Sequence, residues 1–70
     1  MCGTTKFVMF TDGFDREVYV NPVAVSQIIP NGADTYLRIL GAPDLIRVQH
    51  DISYVTSTLA NAGASVYGKM

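Results

Sequence analysis

Seventy residues, 49% of them hydrophobic and 16% charged with a net charge of −1, are expected to make one small domain spanning 1–70, with more apolar surface than it can enclose alone. That surplus points to surface shared between copies, so a homo-oligomer is expected. The balance excludes a protein that grips a nucleic-acid backbone through a basic excess, and the single cysteine, Cys2, excludes an internal disulfide or a cysteine zinc site.

The opening Met1-Cys2-Gly3-Thr4-Thr5-Lys6 has neither the apolar run of a signal peptide nor the glycine at position 2 that myristoylation needs. Lys6 to Thr11 is aromatic and β-branched and reads as a first strand, buried on both faces or paired at an interface. Its apolar run, Phe7 to Phe10, is the longest in the chain at four residues. No membrane span is expected, and the cytoplasm of a bacterium or of a phage-infected cell is the expected compartment. Asp12-Gly13-Phe14-Asp15 reads as a solvated turn in which Gly13 supplies positive φ. Arg16 to Val20 alternates strictly, placing Val18 and Val20 on one face and Glu17 and Tyr19 on the other.

Asn21-Pro22 breaks this strand as an N-cap followed by proline at the first helical position. One helical turn then delivers Val25 inward, three residues before Ile28, and a third strand runs over 25–29. Asn31-Gly32 marks a tight hairpin. A fourth strand over 35–40 turns Leu37 and Ile39 inward and Tyr36 and Arg38 outward. Gly41-Ala42-Pro43-Asp44 is a turn, and a fifth strand over 45–49 turns Ile46 and Val48 inward and Arg47 outward. Asp51 caps a helix over 52–62 whose apolar stripe is Ile52, Val55, Leu59 and Ala62, with Gly63 just beyond it. Residues 64–70 read as a tail, in which Val66 and Tyr67 could add an edge strand or dock on a neighbour. The fold class is therefore mainly β (α+β): a small antiparallel five-stranded curled sheet or open barrel with one C-terminal helix.

Asn21-Pro22-x-x-Val25-x-x-Ile28, placed after a strand and before a hairpin, resembles the small bacterial flagellar and swarming-motility protein family. The likeness runs from about Lys6 to Leu59 and includes Thr11, the Asp-Gly turn and the capped helix; it implies a regulatory role without chemistry. The stretch Leu37-Arg38-Ile39, Ala42-Pro43, Ile46-Arg47-Val48 and the helix from Asp51 is similar to the carbon-storage regulators, which are small dimeric RNA-binding proteins. The positions matching that family's RNA-gripping arginines fall near Asp12 and His50. An acid and a histidine stand there, so nucleic acid is not the expected partner, although an intertwined dimer would be kept.

No catalytic constellation is present, and no cofactor or metal is expected. His50, the only histidine, would act as a proton carrier or as a contact to a phosphate or carboxylate near the helix start, or simply stand exposed at a strand–helix junction. Asp12, Asp15 and Glu17 lack the ligand number of a calcium loop. The informative constellation is outward-facing. If strands two, four and five are neighbours, Tyr19, Tyr36, Arg38 and Arg47 share one face, and these residue types dominate protein interfaces. The expected function is a non-enzymatic regulatory protein binding a host or partner protein through that face. The alternatives are an oligomer that holds a nucleotide-type signal with Arg38, Arg47 and His50, and an RNA-binding regulator.

Overall fold

The computed structural model describes residues 6–63; Cys2 and the tail 64–70 lie outside the described residues. The protein is mainly β, with five strands in two antiparallel sheets, one C-terminal helix and no closed barrel among the described residues. Strand β1 (Val8–Thr11) pairs with β2 (Glu17–Val20), and β3 (Val25–Asn31), β4 (Asp34–Ile39) and β5 (Ile46–Val48) form the second sheet in the order β3-β4-β5. A 3-10 turn, Pro22–Ala24, joins the sheets, and helix α1 (Ile52–Asn61) follows β5.

The two sheets meet at one seam. Asp12 bridges Val48, the Gly13 N–H donates to the Arg47 carbonyl at 3.0 Å, and the Gln49 N–H donates to the Thr11 carbonyl at 2.8 Å. This bends the two sheets around one core of Val8, Phe10, Val20, Leu37, Val48, Val55 and Leu59. Alternation explains the membership: Val8 pairs with Val20 on the inner face of one sheet, and Leu37 pairs with Ile46 on the inner face of the other. Val25 and Ile28 pack against this core half-buried, as their spacing predicts.

Several boundaries differ from the sequence reading. The first strand begins at Val8 and is buried on one face only; Phe7 and Met9 are exposed. The third strand continues to Asn31 through Pro30, which is tolerated because β3 is an edge and the missing N–H breaks no ladder. A bulge at Ser26 offsets the register between Val25 and Gln27. The fourth strand stops at Ile39, and Leu40 is exposed, its N–H bonded to the Ala24 carbonyl at 2.8 Å. The hairpin turn is centred on Gly32-Ala33, with Gly32 at φ +64; glycine at the first central position is what a type II′ turn demands.

Both predicted caps are in place. The Asn21 side chain accepts from the Val23 N–H at 3.1 Å, and the Asp51 carboxylate accepts from the Tyr54 N–H at 2.9 Å. Val55 and Leu59 form the buried stripe of α1, and Gly63 follows at φ +103.

Candidate functional site

The site is built on the loop from Asp12 to Arg16 and on the outer face of the three-stranded sheet. The Asp12 N–H donates to the Arg16 carbonyl at 2.9 Å and the Asp15 N–H to the Asp12 carbonyl at 3.1 Å. Asp15 takes φ +62. This is a three-residue hairpin loop whose last member is left-handed, a conformation that aspartate tolerates. The positive φ thus sits at Asp15 and not at Gly13, correcting the sequence reading.

Asp12 is the hub of this loop, and it is not a solvated turn residue: only 5% of it is exposed. Its Oδ1 accepts the Phe14 and Arg16 N–H groups, both at 2.9 Å. Its Oδ2 accepts Nε of Arg16 at 3.0 Å and lies 2.9 Å from Nη2. Gln49 Nε2, just past the end of β5, clamps the loop, donating to the Asp12 carbonyl at 2.7 Å and to Asp15 Oδ1 at 2.8 Å. The Arg16 N–H bond lowers the Asp12 pKa most; burial opposes it, while the Phe14 N–H and the Arg16 guanidinium add to the lowering. With the Gly13 bond at the seam, all five backbone N–H groups from Asp12 to Arg16 are occupied within the protein.

Across the outer face of the sheet runs a row of Ile29, Tyr36 and Arg47, aligned by register. Between this row and the loop lies a groove of about 370 Å³. It is lined by Tyr36, Ile46 and Arg47 of the sheet, by Leu45, and by Asp12, Gly13, Phe14 and Arg16 of the loop. Phe14 is 79% exposed at the rim, and the Arg16 guanidinium lies 5.1 Å from its ring centroid. The two arginines are held differently. Arg16 grips one carboxylate oxygen through two nitrogens at 2.9 and 3.0 Å, whereas Arg47 reaches Asp34 with Nε at 3.3 Å. A charge-assisted hydrogen bond is ordinarily shorter, about 2.7–2.9 Å.

The structure brings together Tyr36 and Arg47, which are direct cross-strand partners. Arg38 shares their face but is turned to Gln27, donating from Nε at 2.9 Å, and does not line the groove. Tyr19 does not join them. Strand β2 pairs with β1 and not with β4 or β5, so Tyr19 stands in the other sheet opposite Met9. Its hydroxyl is 3.5 Å from Glu17 Oε1, too long for a strong O–H···O bond.

His50 is neither an exposed bystander nor part of the groove. Its Nε2 accepts the Thr11 N–H at 3.1 Å, its carbonyl accepts the buried Thr35 hydroxyl at 2.8 Å, and its ring stacks on Tyr54 at 4.5 Å and tilts against Phe10 at 5.5 Å. The ring nitrogen occupies the place where the β1–β5 ladder would otherwise need a carbonyl, so this histidine closes the seam.

Sequence reasoning passed over Phe14, Arg16 and Leu45 as site residues. The spacing of Asp12 and Arg16 around a turn was the available signal, since it lets an arginine fold back on a carboxylate. Among the described residues no group of three or more metal-ligating side chains converges, and no helix is long and apolar enough to cross a membrane. No family model, curated protein or solved structure matches the chain.

Proposed function

We propose that this chain is a non-enzymatic regulatory protein that docks a partner protein on the outer face of β3–β5 and its adjoining groove, acts in the cytoplasm and self-associates. One observation carries the docking reading: Tyr36 and the loosely held Arg47 are cross-strand partners, with Phe14 exposed across the groove. Aromatic side chains and arginine supply contact area and directed hydrogen bonds, and residues of this kind are the energetic anchors of protein interfaces. The regulatory role follows the resemblance to the motility family. Self-association is supported by large apolar side chains left exposed on the other sheet and just before it, among them Met9, Tyr19 and Phe7.

A nucleotide-type signal is the second reading, favoured by the guanidinium and the aromatic side chains around a cavity of about 370 Å³. Two features weigh against it. Arg16 and Arg47 are matched by Asp12 and Asp34, so the site carries no excess positive charge for a phosphate. The loop N–H groups that would cradle one are already bonded. RNA binding is weaker still, because Asp12 and His50 stand where the carbon-storage regulators carry arginines, and His50 Nε2 accepts a hydrogen bond.

The test is a comparison of proteins retained from bacterial lysate by the full chain and by its Tyr36→Ala/Arg47→Ala variant. A protein held by the first and lost by the second is expected. Identical sets on both would overturn the reading.

A further inference from the structure

We infer that the groove anchors an internal Asp or Glu side chain of the partner, flanked by an apolar residue, on the Arg47 guanidinium, and that Gly13 sets this preference by making room for it. The inference rests on the partner-docking reading above and adds the chemistry of the anchor.

The guanidinium of Arg47 lies directly against the loop. A Cβ built on Gly13 would come within 2.9 Å of Arg47 Nε, 3.2 Å of Cζ and 3.3 Å of Nη2. Any other residue at position 13 would therefore displace the guanidinium. Gly13 is not among the residues with positive φ, so the backbone itself does not call for glycine there; what the missing side chain provides is space for Arg47. Arg47 meets Asp34 with Nε at 3.3 Å. Among the described residues no hydrogen bond from its two terminal nitrogens is found, which leaves one edge of the fork for a planar acceptor. A carboxylate matches such an edge with two parallel bonds.

A phosphate group or a chain terminus fits less well. A phosphate is ordinarily taken by several arginines or by clusters of backbone N–H groups, and a chain terminus by a nest of N–H groups; here the loop N–H groups are bonded and Arg16 is held by Asp12. Because the site's own charges cancel, the doubly charged phosphate is disfavoured more than a single carboxylate, whose recognition rests on the geometry of the fork. The apolar neighbour is set by Leu45 and Tyr36, which line the groove beside Arg47, and by Phe14 at the rim. At about 370 Å³ the groove takes side chains and not a whole helix.

The experiment is amide NMR of the 15N-labelled full chain, titrated with acetyl-Leu-Glu-Leu-amide, with its Gln counterpart and with AMP. The Glu peptide is expected to shift Gly13, Tyr36, Leu45 and Arg47, and the Gln peptide to bind about tenfold or more weakly, a difference of about 1.4 kcal/mol. Arg47→Gln is expected to abolish the preference for Glu over Gln. Gly13→Ala, which keeps every charge, is expected to weaken the Glu peptide several-fold while leaving amides outside the loop in place. Equal response to Glu and Gln peptides, tighter binding of AMP than of the Glu peptide, or an unchanged affinity in Gly13→Ala would each overturn the inference. Should Gly13→Ala disturb the whole spectrum, the Arg47→Gln result alone decides. Silence toward all three probes would also overturn the anchor, while the lysate comparison, which reads the whole sheet face, would still judge the docking reading separately.

Discussion

Asp12 gathers two backbone N–H groups and a guanidinium on its carboxylate, an arrangement that only the ionised form satisfies. Its pKa is lowered in the folded protein, so it contributes stability above the ordinary aspartate pKa. That contribution is lost as pH falls through about 4 toward the lower folded value. The urea midpoint is therefore expected to fall on acidification below about pH 4, and Asp12→Asn, which cannot ionise, is expected to show a lower midpoint at neutral pH and a flatter acid limb. His50 makes a different kind of prediction. With Nε2 accepting the Thr11 N–H, the ring proton belongs on Nδ1, and long-range 15N correlations should report that tautomer. His50→Ala would strand the Thr11 N–H and remove the stack on Tyr54; a loss of about 1–3 kcal/mol in urea unfolding is expected, with early exchange of the Thr11 amide.

Helix α1 starts on a single capping carboxylate, Asp51, bonded to the Tyr54 N–H at 2.9 Å. Asp51→Ala is expected to cost about 1 kcal/mol, measured by urea unfolding, because that N–H then loses its partner. Leu59 is 1% exposed on the same helix, and Leu59→Ala is expected to cost about 2–5 kcal/mol by the same measurement, leaving a cavity under the helix. Elements of this kind were legible in the sequence because local rules govern them. Alternation fixed which of Leu37, Arg38, Ile39, Ile46, Arg47 and Val48 face inward, and Asn21, Asp51 and Gly63 announced helix ends. The neighbour of β2 was not legible, since a strand of four residues carries its faces in its own pattern but not the identity of its partner. Tyr19 was grouped with Tyr36 for that reason. The role of His50 was hidden likewise, because its partner Thr11 lies 39 positions away. The Asp12 hub was hidden because a burying loop and a solvated one use the same turn residues.

At the level of the whole molecule, the exposed Met9, Tyr19 and Phe7 make a second surface, on the β1–β2 sheet and separate from the Tyr36–Arg47 row. Light scattering is expected to give a mass above the 7.6 kDa of one chain, and Met9→Glu/Tyr19→Glu to return it to that value. A monomer in both cases would assign the apolar surplus to the partner protein instead. The two outer strands of the fold are unlike each other in this respect. Strand β3 carries Pro30 and the bulge at Ser26, which spoil it as a template for another strand, whereas the margin of β2 carries neither. A molecule able to add a strand on one side only cannot propagate a continuous ribbon. If two copies joined through the β2 margin left open among the described residues, each would use up the other's open side and growth would stop; one proline and one bulge would then act as a chain terminator, ending assembly at a pair and short of a fibre.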